Sequence, residues 1–353
     1  MSSTRPPLRV LVIDDSALNR KNIIAALQAT GEVEVVGEAA DGQDGLTQAF
    51  QLKPDAITLD LEMPRMNGFT FLRLLMGKQP TPVIVVSRHS EKENVFKALE
   101  FGALDFVEKP SKWSIEDVQA AQAQLAQKVT LVRGLNRHKG ALRAIEPRPR
   151  PKSSPPPSRE STRIAPRFIV AIASSAGGPA ALLEIFSRLP ARAPIAVVVA
   201  QHMPERFTST FAQRLAHRSL IQVSEARDGE MLAARHGYIC PGNKCMEIEL
   251  DENGVDARIR LTRPKDTDRY TPNANRLLES VARVAGRRAV GVVLTGMGDD
   301  GALGAAAIRS NRGTVVVESR ETAVVPGMPT AALPSASHVL PLHEIHGFLA
   351  GLI

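Results

Sequence analysis

The chain has 353 residues, 43% hydrophobic and 23% charged, which is enough for two domains with a core each. No apolar run approaches the ~20 residues of a membrane-spanning helix, MSSTRPPLRVLVIDD has no signal-peptide apolar region, and two cysteines, Cys240 and Cys245, exclude a disulfide scaffold; a reduced, cytoplasmic setting is expected. The net charge of +7 does not require nucleic acid, because residues 133–167 carry ten lysines and arginines against Glu146 and Glu160, and a basic connector accounts for the excess.

In chain order, buried strands are expected over 8–13, 33–38, 56–59, 82–86 and 105–107, with helices over 16–29 and 41–51 and a long final helix within 113–133. Strand and helix alternate, so residues 1–133 read as a doubly wound parallel sheet. Asp14, Asp15 and Asp60 stand at the ends of the first and third strands, on one edge of such a sheet. Three carboxylates together repel unless a hard cation such as Mg²⁺ neutralises them. Ser87 and Lys109 end the fourth and fifth strands on that edge, where a hydroxyl and an ammonium can hold phosphoryl oxygens.

VIDDSALNR, LDLEMPRMNG, VSRHS and FVEKP resemble the response-regulator receiver domain, which is flavodoxin-like. The resemblance implies that Asp60 accepts phosphate from a histidine kinase. It implies Mg²⁺ bound by Asp15, Asp60 and the Glu62 carbonyl, with Asp14 acting through water. Ser87 and Lys109 would contact the phosphoryl group, and Phe106 matches the aromatic switch position; on its own, Phe106 reads as a core or edge aromatic.

Residues 134–166 read as a basic linker containing PRPRPKSSPPPSRESTRIAP, too poor in large apolar residues to bury a core. The preceding helix is expected to reach from about 115 toward 145.

Residues 167–353 again alternate. FIVAIASSAGGPAALL reads as a strand over 168–173, a turn at Gly177 and Gly178, and a helix over 180–189 with Pro179 at its start. A strand over 195–200 ends in Gln201-His202-Met203-Pro204, and a helix runs to about 217. Short strands near 221–223, 238–240, 246–248 and 257–259 surround a hairpin turn at Glu252-Asn253-Gly254. A helix over 273–285 and a strand over 289–294 lead into TGMGDDGALG, followed by a helix over 303–309, strands over 314–317 and 337–340, and a closing helix from 342. The expected fold is Rossmann-like and three-layered with a hairpin region.

Ser174/Ser175, His202 and Asp299/Asp300 each follow a buried strand. Converging on one sheet edge, they make the nucleophile, base and orienter of hydrolytic catalysis. The base is needed because a serine hydroxyl is barely ionised at neutral pH, and the glycines at 296, 298 and 301 let backbone N–H groups approach a substrate.

IASSAGGPAAL, VAQHMP, VLTGMGDDGALG and VPGMPTAA resemble the chemotaxis protein-glutamate methylesterase/glutaminase family (CheB type), and receiver, linker and esterase follow in that family's order. The resemblance implies Ser175 as nucleophile, His202 as base, Asp300 as orienter and the Met297 N–H in the oxyanion hole. It implies hydrolysis of glutamate γ-methyl esters, and deamidation of glutamines, on the cytoplasmic helices of chemoreceptors. Phosphorylation of Asp60 would release the active edge; the esterase step would need no metal, and neither nucleic acid nor membrane insertion is implied. The sequence departs from the family at Ala173-Ser174, Ala176 and Cys245, and most in RYTPNANRLLESVA and ESRETAVVPG. A catalytic trio inside a changed rim points to an active esterase with an altered receptor partner. Cys240 and Cys245 read as two reduced apolar thiols rather than a metal pair.

Three other readings compete. A non-catalytic regulator would use the second domain only to bind receptors or signalling proteins. A nucleotide-binding module would use SSAGG and GMGDDG as phosphate loops, but lacks full G-x-G-x-x-G spacing. A DNA-binding regulator is disfavoured because the second half is too large and strand-rich for a helix-turn-helix.

Overall fold

Runs such as VLVI, VIVV and AVVVA are too uniformly apolar for one wet face, and parallel sheets covered on both sides bury them whole. The computed structural model describes residues 6–87, 92–109, 115–135 and 163–352. They fall in two compact units, residues 1–146 and 147–353. Residues 136–162 of the expected linker over 134–166, Arg88, His89 and Ser90 of VSRHS, Pro110 and Trp113 lie outside the described residues.

In the first unit, β1 (Leu8–Ile13), α1 (Ala17–Gln28), β2 (Val33–Ala39), α2 (Gly42–Leu52), β3 (Ala56–Leu59), α3 (Gly68–Lys78), β4 (Val83–Ser87), α4 (Lys92–Glu100), β5 (Asp105–Glu108) and α5 (Ile115–Thr130) follow one another. The sheet order is β2-β1-β3-β4-β5, all parallel. Ser16 and Asp41, expected inside helices, are their N-caps. The Ser16 hydroxyl accepts from Asn19 N–H, and the Asp41 carboxylate accepts from Gln43 and Asp44 N–H at 2.8 and 3.0 Å. Helices α3 and α4 are additions to the elements expected from the sequence. The last helix ends at Thr130 and tightens into a 3₁₀ turn through Gly134; its expected extension toward 145 lies outside the described residues.

In the second unit the elements are β6 (Phe168–Ser174), α6 (Gly178–Phe186), β7 (Ile195–Gln201), α7 (Glu205–Arg218), β8 (Gln222–Glu225), β9 (His236–Ile239), β10 (Cys245–Leu250), β11 (Ala257–Thr262), α8 (Ala274–Ala285), β12 (Ala289–Val293), α9 (Ala302–Ser310), β13 (Thr314–Glu318), α10 (Gly327–Ala332), β14 (His338–Leu340) and α11 (Leu342–Ala350). Seven strands form a parallel sheet ordered β14-β13-β12-β6-β7-β9-β8, and β10 and β11 form a separate antiparallel hairpin. Helix α8 covers that hairpin, where Ser280 Oγ accepts from Ile248 N–H at 2.9 Å.

Two details correct the sequence reading. Gly177, at φ +76°, is the N-cap of α6, so the helix starts at Gly178, one residue before Pro179. It closes at Phe186 rather than 189, although Leu189 is still fully buried. Helix α10 was not expected, because six residues containing Pro329 carry almost no periodicity.

Each sheet reverses its winding once: between β1 and β3 in the first, and between β6 and β12 in the second. Ligands of open parallel sheets bind in the crevice at the carboxyl ends of such strands.

Candidate functional sites

In the first unit the crevice is acidic. Asp14 and Asp60 are buried, Asp15 is exposed, and one carboxylate oxygen from each lies within 4.8 Å of the others. Lys109 enters from the end of β5, with Nζ 2.5 Å from Asp60 Oδ2 and 2.9 Å from Asp14 Oδ2. The contact to Asp14 is an ion pair without hydrogen-bond direction, so this buried oxygen lacks a well-aligned donor. Burial drives the Asp60 carboxyl up to about 6 against the pull of Lys109, with Asp14 adding to the rise. Burial also opposes the charge on Lys109, but Asp60 and Asp14 outweigh it and hold the ammonium above its ordinary value. An all-oxygen donor set around an under-satisfied carboxylate fits a hard divalent cation such as Mg²⁺.

Ser87 is buried at the end of β4, and its carbonyl accepts from Lys109 N–H at 2.7 Å, so the two share the edge. Glu62 is exposed, with its N–H 3.4 Å from Asp60 Oδ1. Phe106 is buried and packs edge-on against Phe96 at 6.4 Å, in line with its reading as a core aromatic.

In the second unit the crevice carries Ser175 after β6, His202 after β7 and Asp300 after β12. His202 Nε2 lies 2.8 Å from Asp300 Oδ2. Asp300 is fully buried at the N-terminus of α8, where Oδ2 accepts from Ala274 N–H at 2.8 Å and Oδ1 from Asn275 N–H at 2.9 Å. Both carboxylate oxygens are therefore fixed by the helix end that favours negative charge.

The two serines separate cleanly. Ser174 is fully buried and donates to Gln201 Oε1 at 2.7 Å. Gln201 Nε2 in turn donates to the carbonyls of Ser175 and His202 at 2.9 and 3.0 Å, stapling the β6 turn to the β7 end. Ser175 is partly exposed, and among the described residues its hydroxyl makes no hydrogen bond. Its N–H donates to the Thr295 carbonyl at 3.0 Å. The adjacent Gly296 is packed so closely that a Cβ there would collide with Met328 Sδ and stand 2.7 Å from Ser175 Cβ. Met297 follows on that turn and is exposed. Asp299 is more exposed than Asp300 and accepts from the Tyr270 hydroxyl at 3.3 Å.

Several site residues escaped the sequence reading. Tyr270 stacks on the His202 ring, with centroids 5.1 Å apart and planes 8° apart. Glu318, buried at the end of β13, accepts from Thr295 N–H at 2.8 Å and from the Thr322 hydroxyl at 3.1 Å. Burial pushes its carboxyl up to about 7 despite those donors. The only available signal was position: Tyr270 and Glu318 sit in the two segments that depart from the family pattern. Both cysteines are free and buried, and burial holds both thiols above their ordinary value. Cys245 is less apolar in its surroundings than expected, since its thiol faces Asp268 Oδ2 at 3.7 Å beside Arg276.

Fold and crevices together define a response regulator whose second domain is a hydrolase. Residues 10–121 match the family model for the response regulator receiver domain, and residues 170–349 match that for CheB methylesterase. A protein-glutamate methylesterase/protein-glutamine glutaminase of Geobacter sulfurreducens is 46% identical, the match covering 92% of this chain and 91% of that protein. One of Myxococcus xanthus is 42% identical over 99% of this chain and 98% of its own length. The crystal structure of the Thermotoga maritima CheB methylesterase catalytic domain superposes with a TM-score of 0.51 at 36% identity, covering 53% of this chain and 98% of that one. The chain belongs to the CheB methylesterase family. Among the described residues no helix is long and apolar enough to cross a membrane.

Proposed function

We propose that the protein is a phosphorylation-activated esterase that removes methyl groups from glutamate γ-methyl esters of chemoreceptor helices, and deamidates receptor glutamines, in the cytoplasm. The observation that carries the reading is the buried Asp300 clamped on α8 and bonded to His202, beside a serine pair of which only Ser175 is unengaged.

Asp300 holds the Nε2 edge of His202, which leaves Nδ1 to take the Ser175 proton. Ser175 Oγ attacks the side-chain carbonyl, and the oxyanion is met by the Met297 N–H on the Gly296–Gly298 turn. His202 then returns the proton to the leaving group, releasing methanol from an ester or ammonia from an amide. Water, deprotonated by His202, cleaves the acyl-enzyme and restores Ser175. All charge is handled by protein groups, so the residues are sufficient for ester chemistry.

In the receiver, Asp60 takes the phosphoryl group from a histidine kinase, with Ser87 and Lys109 contacting it and Phe106 answering as the aromatic switch. Asp14, Asp15, Asp60 and the Glu62 carbonyl would hold Mg²⁺, which supplies charge neutralisation for phosphoryl transfer. The domain limits we propose are 1–133, a linker over 134–166, and 167–353.

The test is methanol release from methylated receptor membranes, with and without a small-molecule phosphodonor. Release should rise with phosphodonor, vanish in Ser175→Ala and lose its stimulation in Asp60→Ala. No release with confirmed Asp60 phosphorylation would favour a binding-only regulator.

A further inference from the structure

A single hydrogen bond fixes one point of an imidazole and not its plane. His202 is bonded to Asp300 through Nε2 alone, so the ring can still swivel about that contact and turn Nδ1 out of the orientation that the proposed proton transfer from Ser175 needs. The second constraint comes from Tyr270. Its ring lies nearly parallel to the imidazole, 8° off plane at 5.1 Å. Tyr270 is itself held: its hydroxyl donates to Asp299 Oδ1 at 3.3 Å, and the Arg269 guanidinium lies 5.3 Å from its ring centre and 3.8 Å from Asp299. Gly298, at φ +83°, leaves the space the hydroxyl occupies, since a Cβ there would collide with it. The neighbours Asp299 and Asp300 thus act in parallel, one holding the edge of the imidazole and the other the aromatic that holds its face.

We infer that Tyr270 is a positioning residue for His202, setting the ring plane that aims Nδ1 at Ser175 and covering one imidazole face as the ring gains charge. The inference rests on His202 being the base of the proposed reaction. A π face against the imidazole also favours the cation formed in the transition state more than the neutral ring of the ground state. The effect should therefore appear in kcat and not in KM.

The experiment uses the full-length chain with phosphodonor and measures kcat and KM for methanol release. In parallel it measures the labelling rate of Ser175 by a fluorophosphonate, which reports nucleophile activation without receptor. Tyr270 is half-buried and not part of the hydrophobic core around β6, β12 and α8, so its replacement should leave folding intact, which thermal unfolding checks. We expect Tyr270→Ala to lower kcat and labelling about tenfold, at the upper end of what such a face contributes, with KM changed less than about twofold. Tyr270→Leu, which restores bulk without a flat face, should behave like the alanine variant. Tyr270→Phe, which keeps the face and loses only the anchor, should stay within about threefold of wild type.

Alanine and leucine variants indistinguishable from wild type in kcat and labelling would overturn the inference, as would a leucine variant that restores both or a loss confined to KM. Ser175→Ala separates the two levels of reading. If wild type labels at Ser175 and turns over while Tyr270 variants do not differ, only the positioning role fails. If wild type neither labels nor releases methanol, the triad reading fails and this inference with it.

Discussion

Glu318→Gln offers a quantitative test of the hydrogen-bond frame behind Ser175. Glu318 is almost completely buried and holds Thr295 N–H, while the Thr295 carbonyl holds Ser175 N–H. Its carboxyl rises from 4.5 to about 7, chiefly by burial, with Glu184 adding a small like-charge push. A raised folded-state value means that the native chain binds the proton more tightly than the unfolded chain, so stability is greatest at low pH and falls as pH climbs through about 7. Between pH 5 and pH 8 that loss amounts to about 2–3 kcal/mol, because each tenfold difference in proton affinity between the two states is worth about 1.4 kcal/mol. Glutamine keeps an acceptor for Thr295 N–H and cannot ionise, so the variant should lose this pH dependence. Urea unfolding of wild type and variant, followed by far-UV circular dichroism at pH 5 and pH 8, gives the difference with other titrating groups cancelled. Glu318→Gln should gain about 2–3 kcal/mol relative to wild type on going from pH 5 to pH 8. Parallel stability profiles across that range would refute the buried-carboxylate argument.

Other perturbations separate the remaining roles. Ser175→Ala should abolish turnover with little change in stability, whereas Ser174→Ala should keep turnover but cost about 1–3 kcal/mol in urea unfolding, because Gln201 Oε1 loses its buried donor. Asp300→Ala should do both: it removes the partner of His202 and strands two α8 N–H groups, costing about 2–4 kcal/mol. Gly296→Ala should lower kcat by about 10²-fold, measured by methanol release, since its Cβ would displace Ser175. Asp14→Asn should weaken Mg²⁺ binding to the receiver at least tenfold by calorimetry, because it removes one of three clustered carboxylates.

Much of this was legible because function sits at strand ends, and strand ends are marked by composition. Runs such as VLVIDD and VVLTG stop at an abrupt polar residue, so Asp14, Asp60, His202 and the Asp299/Asp300 pair were located by where the apolar run ends, and the resemblance chose Asp300. What periodicity cannot carry is the partner across the fold. Asp300 is fixed by Ala274 and Asn275 N–H groups about 25 residues earlier, and Tyr270 reaches His202 from a loop without regular structure. Spacing alone did not separate Ser174 from Ser175; the alternation of β6 sends Ser174 inward to Gln201, while Ser175 lies past the strand's last residue, in the turn. Helix α6 ended earlier than its apolar pattern because Leu189 is buried as loop, a placement set by tertiary packing.

The two crevices solve opposite electrostatic problems, each at the carboxyl ends of a parallel sheet. A phosphoryl group adds negative charge beside carboxylates that already repel, so the first crevice needs a buried ammonium, and Lys109 is shared between Asp60 and Asp14. On the proposed reading, phosphorylation of Asp60 would lower the charge on the carboxylate that Lys109 now holds at 2.5 Å and offer phosphoryl oxygens in its place. A neutral ester brings no charge, and the buried carboxylate facing His202 is already spent on that ring and two backbone N–H groups. Ser175, the proposed nucleophile, stands on an uncharged turn where Gly296 brings backbone against it. In the proposed reaction, new charge appears on the oxyanion and on the imidazole between Asp300 and Tyr270. For this reason the first site should be sensitive to the identity of its divalent cation, and the second to the orientation of one ring.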